Sequence, residues 1–266
     1  LVLFCLTSVF GYAQNGVPHS LYQQFNGPYD YTIIGKSHRN DDNAISIGPC
    51  SFITSSSTTL SLAANQTIVG AYIIWAGVSN GQSTTIALNG VNLQPDILNV
   101  VNLCPPCSSP CYSFSAVKDV TSMVQSSGNG LYQVTNFDLN PFVQMIGNCF
   151  CGQNIPFSGW NLIVVYSTPT LSNKQINIYN GHKVLGGAGN PLTNTFLISN
   201  LNITNTAGAK MTYIAYNGSP NAYLNESIQV NGNTLSNAQN PANNPLLKTA
   251  RLIFCKPCPF KLCAIL

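Results

Sequence analysis

The sequence predicts an all-β fold, a β-sandwich of jelly-roll type with one short helix or wide loop. Three observations favour this class. The pair Asn-Gly occurs eight times in 266 residues, and it tolerates the positive φ angles of tight hairpin turns. Many short segments between such turns alternate apolar and polar side chains, as half-buried strands do. Strand and helix patterns do not alternate in the way that builds a parallel sheet.

The composition is unusual in its lack of charge. Charged residues make up 6% of the chain, against roughly 25% in ordinary globular proteins, while the 45% apolar content is enough for a core. The net charge of +3 comes from the last 19 residues, which hold four of the ten basic residues. Because no basic stripe with interleaved aromatic residues occurs, nucleic acid is not expected as a partner.

The first residues resemble a signal peptide whose start is missing. An apolar run, Leu1–Phe10, precedes small residues at Gly11 and Ala13, which predicts cleavage after residue 13. The alternative is a buried N-terminal strand. Residues 14–28 are interpreted as a linker. No later apolar run approaches the ~20 residues of a membrane span, so we expect an exported protein, extracellular or at the cell surface, without a transmembrane segment.

The sandwich is assigned to residues 29–247. Two segments, GAYIIWAG (70–77) and GWNLIVVYS (159–167), are apolar on both faces, which is typical of central strands covered on both sides. Each contains a tryptophan. We therefore expect Trp75 and Trp160 in the core rather than stacked on sugar rings.

Three Asn-Gly pairs have the flanking alternation of a hairpin, and they begin at Asn89, Asn180 and Asn231. Later in the chain, TFLISNLNIT (195–204) is expected to be a strand that changes phase at residue 200, as a bulge would make it do. AKMTYIAYNG (209–218) is expected to be another strand.

One segment, FSAVKDVTSMVQ, has helical spacing. Val117, Val120, Met123 and Val124 recur on one helical face, Asp119 is placed to cap the first turn, and Ser-Gly-Asn-Gly follows. This pattern predicts a single short helix, or a wide loop, packed across a sheet.

The last stretch, residues 248–266, differs in kind from the rest. It is basic, it lacks turn signals, and it contains Cys255, Cys258 and Cys263. We interpret it as an atypical tail, with a frameshift at the end of a gene fragment as the favoured origin and a zinc or membrane-surface tail as the alternative. It is not expected to join a sheet as an alternating strand, because its prolines interrupt a ladder, although its apolar residues could collapse onto an unpaired edge.

The remaining cysteines after the signal peptide lie in the body of the chain. In an exported protein such cysteines indicate disulfides first, with a metal site or redox centre as lesser alternatives. The run CPPCSSPC (104–111) lacks the strand-to-helix context of a redox motif, and a one-residue gap between two cysteines makes a poor chelate. We expect three disulfides, at least one of them linking the 104–111 loop to Cys149 or Cys151. The six cysteines are Cys50, Cys104, Cys107, Cys111, Cys149 and Cys151.

Other chemistry is sparse. Asp41, Asp42 and Asn43 predict an exposed turn, with a calcium site as the alternative, because Ca²⁺ accepts carboxylate and carbonyl oxygens. Three histidines, His19, His38 and His182, are present, but no Gly-x-Ser-x-Gly elbow accompanies them. The sequence therefore predicts no enzyme and no cofactor, calcium being the exception that stays open.

The order of motifs resembles a known family. The motifs are YTIIGKSHRNDDN followed by Cys50, VGAYIIWAG, FSAVKDVTSMVQSSGNGLYQVTNFDL, GWNLIVVYSTPTLSNKQINIYNGH, LNITNTAGAKMTYIAYNG and NESIQVNGNTLSNAQNPANNPL. From about residue 29 to 247 they resemble the N-terminal globular region of large flavobacterial (Bacteroidetes) cell-surface proteins, of the gliding-motility-associated or adhesin-like type exported by the type IX system. In that family further strands, repeat domains and a sorting domain follow.

This resemblance implies an adhesin-like domain at the cell surface. The function we expect is a non-catalytic binding module for a glycan or a partner protein. One alternative is a structural stalk or head domain without its own ligand, and a second is a calcium-dependent carbohydrate-active module. Exposed aromatic side chains beside polar loops would favour binding, and an evenly polar surface would favour the structural alternative.

Overall fold

The computed structural model describes residues 16–38, 51–80, 85–102, 111–142, 157–185, 193–198, 210–216, 227–236, 251–252 and 263–265. Within these ranges strands predominate, accompanied by one seven-residue helix and a helical turn at residues 140–142. The predicted all-β sandwich class is confirmed, and the jelly-roll order of strands stays a prediction. In chain order the elements are β1 (Gly16–Gly27), β2 (Tyr29–Ser37), β3 (Ser56–Leu60), β4 (Thr67–Ser79), β5 (Ile86–Leu88), β6 (Val91–Leu93), β7 (Ile97–Asn102), β8 (Tyr112–Asp119), α1 (Thr121–Ser127), β9 (Gly130–Thr135), β10 (Ser158–Ser167), β11 (Lys174–Lys183), β12 (Lys210–Thr212), β13 (Ile214–Ala215), β14 (Gln229–Val230), β15 (Asn233–Thr234), β16 (Arg251–Leu252) and β17 (Cys263–Ile265).

The largest sheet is antiparallel throughout and has the strand order β2-β10-β4-β8-β7. We call it the central sheet. Its inner strands β4 and β10 bury side chains on both faces along most of their length. The prediction that these two apolar segments are central strands is therefore confirmed. Strands of this kind need cover on both sides, and the structure supplies it with two further sheets.

The lower sheet, β3-β9-β5-β6, covers one face of the central sheet. The larger of two apolar cores lies between them and includes Trp75, Phe114, Tyr132 and Trp160. The upper sheet, β1-β11-β17-β12, covers the other face. The smaller core on that side includes Tyr31, Tyr72, Ile163 and Ile178 from β2, β4, β10 and β11. The architecture is thus three stacked layers rather than the two of a simple sandwich.

Both tryptophans are core residues, as predicted. Trp75 and Trp160 are fully buried and lie opposite each other in the register of β4 and β10. The Trp160 Nε1–H group donates a hydrogen bond to Ser56 Oγ on the lower sheet at 2.8 Å. A buried indole needs such a partner, so this bond also ties the two layers together.

The predicted helix is shorter and starts later than its sequence pattern indicates. Val117 lies in β8, which pairs with β4 on one side and β7 on the other, and α1 begins only at Thr121. The two ladders of a central strand outweigh the weak helical spacing of this segment. The stop signal is confirmed, since Gly128 ends the helix with φ of 63°. The N-cap residue is Val120, which has no side-chain cap, and Asp119 before it accepts a hydrogen bond from the Thr121 amide at 2.8 Å.

Two of the three predicted Asn-Gly hairpins form. Asn89 and Gly90 join β5 to β6, and the pair beginning at Asn231 joins β14 to β15, with positive φ at all four residues. The third prediction is wrong. Asn180 and Gly181 lie inside β11, which continues to Lys183 and pairs with β1. The register of β1 is irregular opposite this pair, and the glycine there permits a close approach of the two backbones.

The start of the domain differs from the prediction of a linker over residues 14–28. Residues 16–27 form β1, the longest strand of the upper sheet. The segment 195–204 is described only to residue 198, and that part is not a strand; Leu197 is 83% exposed. The segment 209–218 forms two very short strands, β12 and β13, instead of one.

The tail is not expected to join a sheet as an alternating strand, although its residues could meet an unpaired edge, and in the structure two short parts of it do pair with strands. Cys263–Ile265 forms β17, which lies between β11 and β12 and pairs in parallel with both. Arg251 and Leu252 pair with β13. These pairings follow the general tendency of an unpaired strand edge to accept another strand. The frameshift interpretation stays a prediction.

A charged group joins the upper and central sheets at the beginning of β2. The Asp30 carboxylate accepts hydrogen bonds from Lys174 Nζ at 3.2 Å and from Lys210 Nζ at 3.1 Å. Lys210 Nζ also donates to the Tyr31 carbonyl and lies 4.0 Å from the centre of the Tyr31 ring. Tyr31 in turn shares a 2.8 Å hydroxyl hydrogen bond with Thr212. We call Asp30, Tyr31, Lys174 and Lys210 the interlayer clamp.

Candidate functional site

The last residues of β2, β4 and β7 and the first residues of β8 and β10 lie at one end of the central sheet. Ser37 of β2 is opposite Gly159 of β10, Ser158 is opposite Gly77 of β4, and Tyr112 of β8 is opposite both Ser79 and Asn102. Four chain connections, residues 39–50, 81–84, 103–110 and 143–156, therefore leave from or return to this end. We call it the loop end. Functional loops on β-sandwiches are commonly gathered at one end of a rigid scaffold in this manner.

The predicted cysteine sites belong to the connections at this end. Of the six body cysteines, only Cys111 lies among the described residues, where it is buried at the beginning of β8 and contributes to the larger core. Cys50, Cys104, Cys107, Cys149 and Cys151 lie outside them. The described residues that flank these cysteines converge on the loop end. The three disulfides stay a prediction.

The calcium alternative also concerns the loop end. Asp41, Asp42 and Asn43 lie outside the described residues, in the connection that follows His38. In the ranges that the structure describes, no group of three or more His, Cys, Asp or Glu side chains is arranged to hold a metal ion.

His38 is a fully buried polar side chain at the loop end. It follows β2, its amide donates to the Ser158 carbonyl at 2.9 Å, and its carbonyl accepts from the Ile53 amide at 2.8 Å. The imidazole is fully buried and lies 5.3 Å from the Phe137 ring. Neither ring nitrogen has a hydrogen-bond partner among the described residues, and the same is true of the neighbouring Ser158 hydroxyl.

This burial decides the charge of His38. Removal from water lowers the pKa of His38 to about 4, although nearby backbone of Phe137 and Ile53 acts in the opposite direction. The ring is therefore neutral at neutral pH. In the sequence His38 precedes the aspartates of residues 41–42. The structure makes it a buried residue beside Phe137 of the larger core, so it cannot act as a surface cation.

A second polar group lies between the central and upper sheets. Ser113 Oγ and His182 Nε2 form a hydrogen bond of 2.5 Å, and the Asn99 amide donates to Ser115 Oγ and Asn180 Oδ1, each at 3.3 Å. All these strand residues are buried except Asn180, which is half-buried. The group satisfies polar atoms in an otherwise apolar interface.

The Ser113–His182 pair does not have the features of a hydrolase centre. Ser113 is 1% exposed, and no described carboxylate bonds to the imidazole to orient it, as a triad requires. Burial, together with a smaller effect of the nearby His19, lowers the pKa of His182 to about 4. The arrangement within the described residues serves packing between layers. His19 itself contacts the Phe196 ring at 5.4 Å.

The described surface offers no aromatic platform. Every aromatic side chain in the described ranges is buried or half-buried, and the exposed large apolar residues are all aliphatic. Stacking of sugar rings on the sheets is thereby disfavoured, because such stacking uses open aromatic faces. No helix among the described residues is long and apolar enough to cross a membrane.

Comparison with known proteins adds no family. No protein-family model matches this chain, and no curated protein or solved structure matches it either.

Proposed function

We propose that this protein is a non-catalytic binding module of an exported, adhesin-like cell-surface protein, and that the loop end engages its ligand, a glycan or a partner protein. One observation carries the proposal. The strand ends that flank four connections lie together at one end of the central sheet, and loops carried at one end of a rigid scaffold are common places for binding.

The chemistry of the proposed contact is hydrogen bonding. The body of the chain has 6 basic and 7 acidic residues when the last 19 residues are set aside, and three of these 13, Arg39, Asp41 and Asp42, lie in the first connection of the loop end. Nine of the 38 residues in the four connections are neutral Asn, Ser or Thr. Together with the few charges, these side chains supply the hydrogen-bonding groups of the proposed contact.

The test uses the full chain and a pair of matched double variants. Fluorescently labelled protein is applied to a glycan array and to intact bacterial and host cells. We expect Asp41→Ala with Asp42→Ala to abolish the binding, and Asp96→Ala with Lys118→Ala, at the opposite end of the central sheet, to leave it unchanged. Circular dichroism checks that each variant is folded.

Three results would each point elsewhere. No binding to any glycan or cell type would favour a structural stalk or head domain. Equal losses in both double variants would remove the ligand from the loop end. Binding that requires calcium and disappears with a chelator would favour the calcium-dependent carbohydrate module.

A further inference from the structure

The edge strand β7 has the features of a pairing surface. Among the described strands it forms a ladder with β8, and none of them pairs with the outer edge of residues 97–101. Its sequence, Ile-Leu-Asn-Val-Val-Asn, has no proline and no charge, and its register with β8 is regular over six residues. An edge of this kind exposes a row of amide and carbonyl groups that can accept another strand.

The other sheet edges carry the protections that β7 lacks. β1 contains Pro18 and two register irregularities. β2 carries Asp30 and Lys36. β3 is Ser and Thr except at its last residue, and β6 and β12 have three residues each. Short strands, prolines, charges and bulges are the ordinary means by which proteins prevent edge pairing. β3 also lacks proline, charge and bulge, but the side chains between its two buried ends are Ser and Thr. Among these edges, β7 is the one that combines an unprotected backbone with exposed aliphatic side chains.

The two faces of β7 differ. On the upper side Asn99 and Val101 are buried, and Asn99 is bonded to Ser115 and Asn180, so the strand is held firmly. On the lower side Leu98 and Val100 are 43% and 41% exposed. They stand beside the larger core, opposite Ala116 and Phe114 of β8, but the lower sheet does not cover them.

We propose that β7 pairs with β7 of a second copy of this chain, antiparallel and centred on Asn99. The two five-stranded central sheets would then join into one sheet of ten strands about a two-fold axis. A two-fold interface requires a self-complementary surface. In this register Leu98 lies opposite Val100 of the second copy. By the two-fold symmetry, Val100 lies opposite Leu98 of the second copy.

Two properties of β7 favour a second copy over an unrelated strand. A register centred on Asn99 places the exposed Leu98 and Val100 of one copy opposite Val100 and Leu98 of the other. A register centred one residue later would place Leu98 opposite Asn102. The strand also has no charge, so pairing with itself brings no like charges together, which would be destabilising.

The test measures the oligomeric state of the full chain by light scattering and sedimentation velocity over a wide range of concentration. We expect a monomer–dimer equilibrium. Val100→Lys should raise the dimer dissociation constant by about tenfold or more, because it disrupts two aliphatic pairs and places two lysines at the interface. Leu131→Lys is the control: Leu131 is 61% exposed but lies on β9, which has a neighbour on each side.

The outcomes separate cleanly. A wild-type chain that stays monomeric at every concentration overturns the proposal. The contact lies on another surface if Val100→Lys and Leu131→Lys weaken the dimer equally. The same conclusion holds if neither variant weakens it. Ligand binding at the loop end does not depend on this edge, so loss of the dimer with retained ligand binding leaves the proposed function intact.

Discussion

Replacement of Asp30 by Asn tests whether the interlayer clamp holds the upper sheet to the central sheet. The substitution keeps the shape of the side chain and removes its charge, which leaves Lys174 and Lys210 without an anionic partner. Their side chains are 23% and 15% exposed, and that of Asp30 is 20% exposed. The group is therefore neither at the open surface nor completely buried.

The expected loss lies between two limits. An exposed ion pair contributes at most about 1 kcal/mol, whereas removal of one partner from a fully buried pair costs about 3–5 kcal/mol. For two partly buried pairs that share one carboxylate we expect Asp30→Asn to lower the free energy of unfolding by about 2–3 kcal/mol. The matched control is Asp96→Asn, whose pair with Lys118 has side chains 38% and 32% exposed. Its expected loss is at most about 1 kcal/mol.

The pH dependence gives an independent check. Burial alone would raise the pKa of Asp30, but Lys210, the Tyr31 amide and Lys174 together outweigh it and hold the pKa below its ordinary value of 3.8. A carboxylate whose folded-state pKa is lowered contributes stability above its unfolded pKa and loses it as the pH falls through the folded value. The difference between wild type and Asp30→Asn should therefore be full at pH 6 and shrink below about pH 4.

Urea denaturation followed by tryptophan fluorescence measures both quantities. Trp75 and Trp160 are fully buried, so their emission is expected to shift when the core opens. If Asp30→Asn costs no more than Asp96→Asn, the clamp does not hold the layers together. If the cost is equal at pH 6 and pH 3, its origin is not the charge of Asp30.

Two further predictions concern the buried histidines and a glycine at a close approach of two strands. His38 and His182 have pKa values of about 4 in the folded protein, and unfolding restores ordinary values near 6.5. The free energy of unfolding should therefore be full above about pH 6.5 and fall as the pH decreases towards 4. In thermal melts His38→Leu should remove about half of that fall, and an unchanged slope would show that His38 does not titrate on unfolding. Gly181→Ala should lower the free energy of unfolding by about 3 kcal/mol, because the added Cβ would lie 2.6 Å from His19 Cα. The control is Gly90→Ala, where φ is 82° and the surrounding space is open. Its expected loss is about 1 kcal/mol. Equal losses in urea titrations of the two glycine variants would refute the close approach of β1 and β11.

The three-layer arrangement has a consequence for function. A sheet with one open face can bind ligands on that face, but the central sheet is covered by apolar packing on both sides. The central sheet can therefore contact other molecules only at its strand ends and its edges, while the upper and lower sheets keep open outer faces. The loop end and β7 are two such places, and they lie on the same sheet.

The candidate site was only partly predictable. The sequence indicated that residues 39–50, 103–110 and 143–156 contain the cysteines and aspartates that matter, because export and spacing point to disulfides. The predicted disulfide between the 104–111 loop and Cys149 or Cys151 would bring two of these connections together, but the sequence gave no sign that all of them leave from one end of one sheet. That fact follows from the registers of β2, β10, β4, β8 and β7, which join residues far apart in the chain.

What the sequence by itself determined are the properties that each segment carries locally. Apolar side chains on both faces of β4 and β10 require cover on both sides wherever those strands lie, and Asn-Gly turns at residues 89 and 231 need only the φ tolerance of two residues. Asn180-Gly181 has the same local preference for a turn, but this pair lies inside strand β11. Continuous pairing with β1 stabilises the extended chain through Lys183.

Only the tertiary structure decided the features that depend on distant partners. Asp30 and Lys210 are 180 residues apart, and His38 is buried because Phe137 and Ser158 close over the end of β2. Local patterns report the preference of a few residues, worth about 1 kcal/mol or less at each position. The hydrogen bonds of a strand ladder and the buried contacts between layers contribute many such free-energy terms at once. They therefore override the local preference of a segment wherever the local preference and the tertiary contacts disagree.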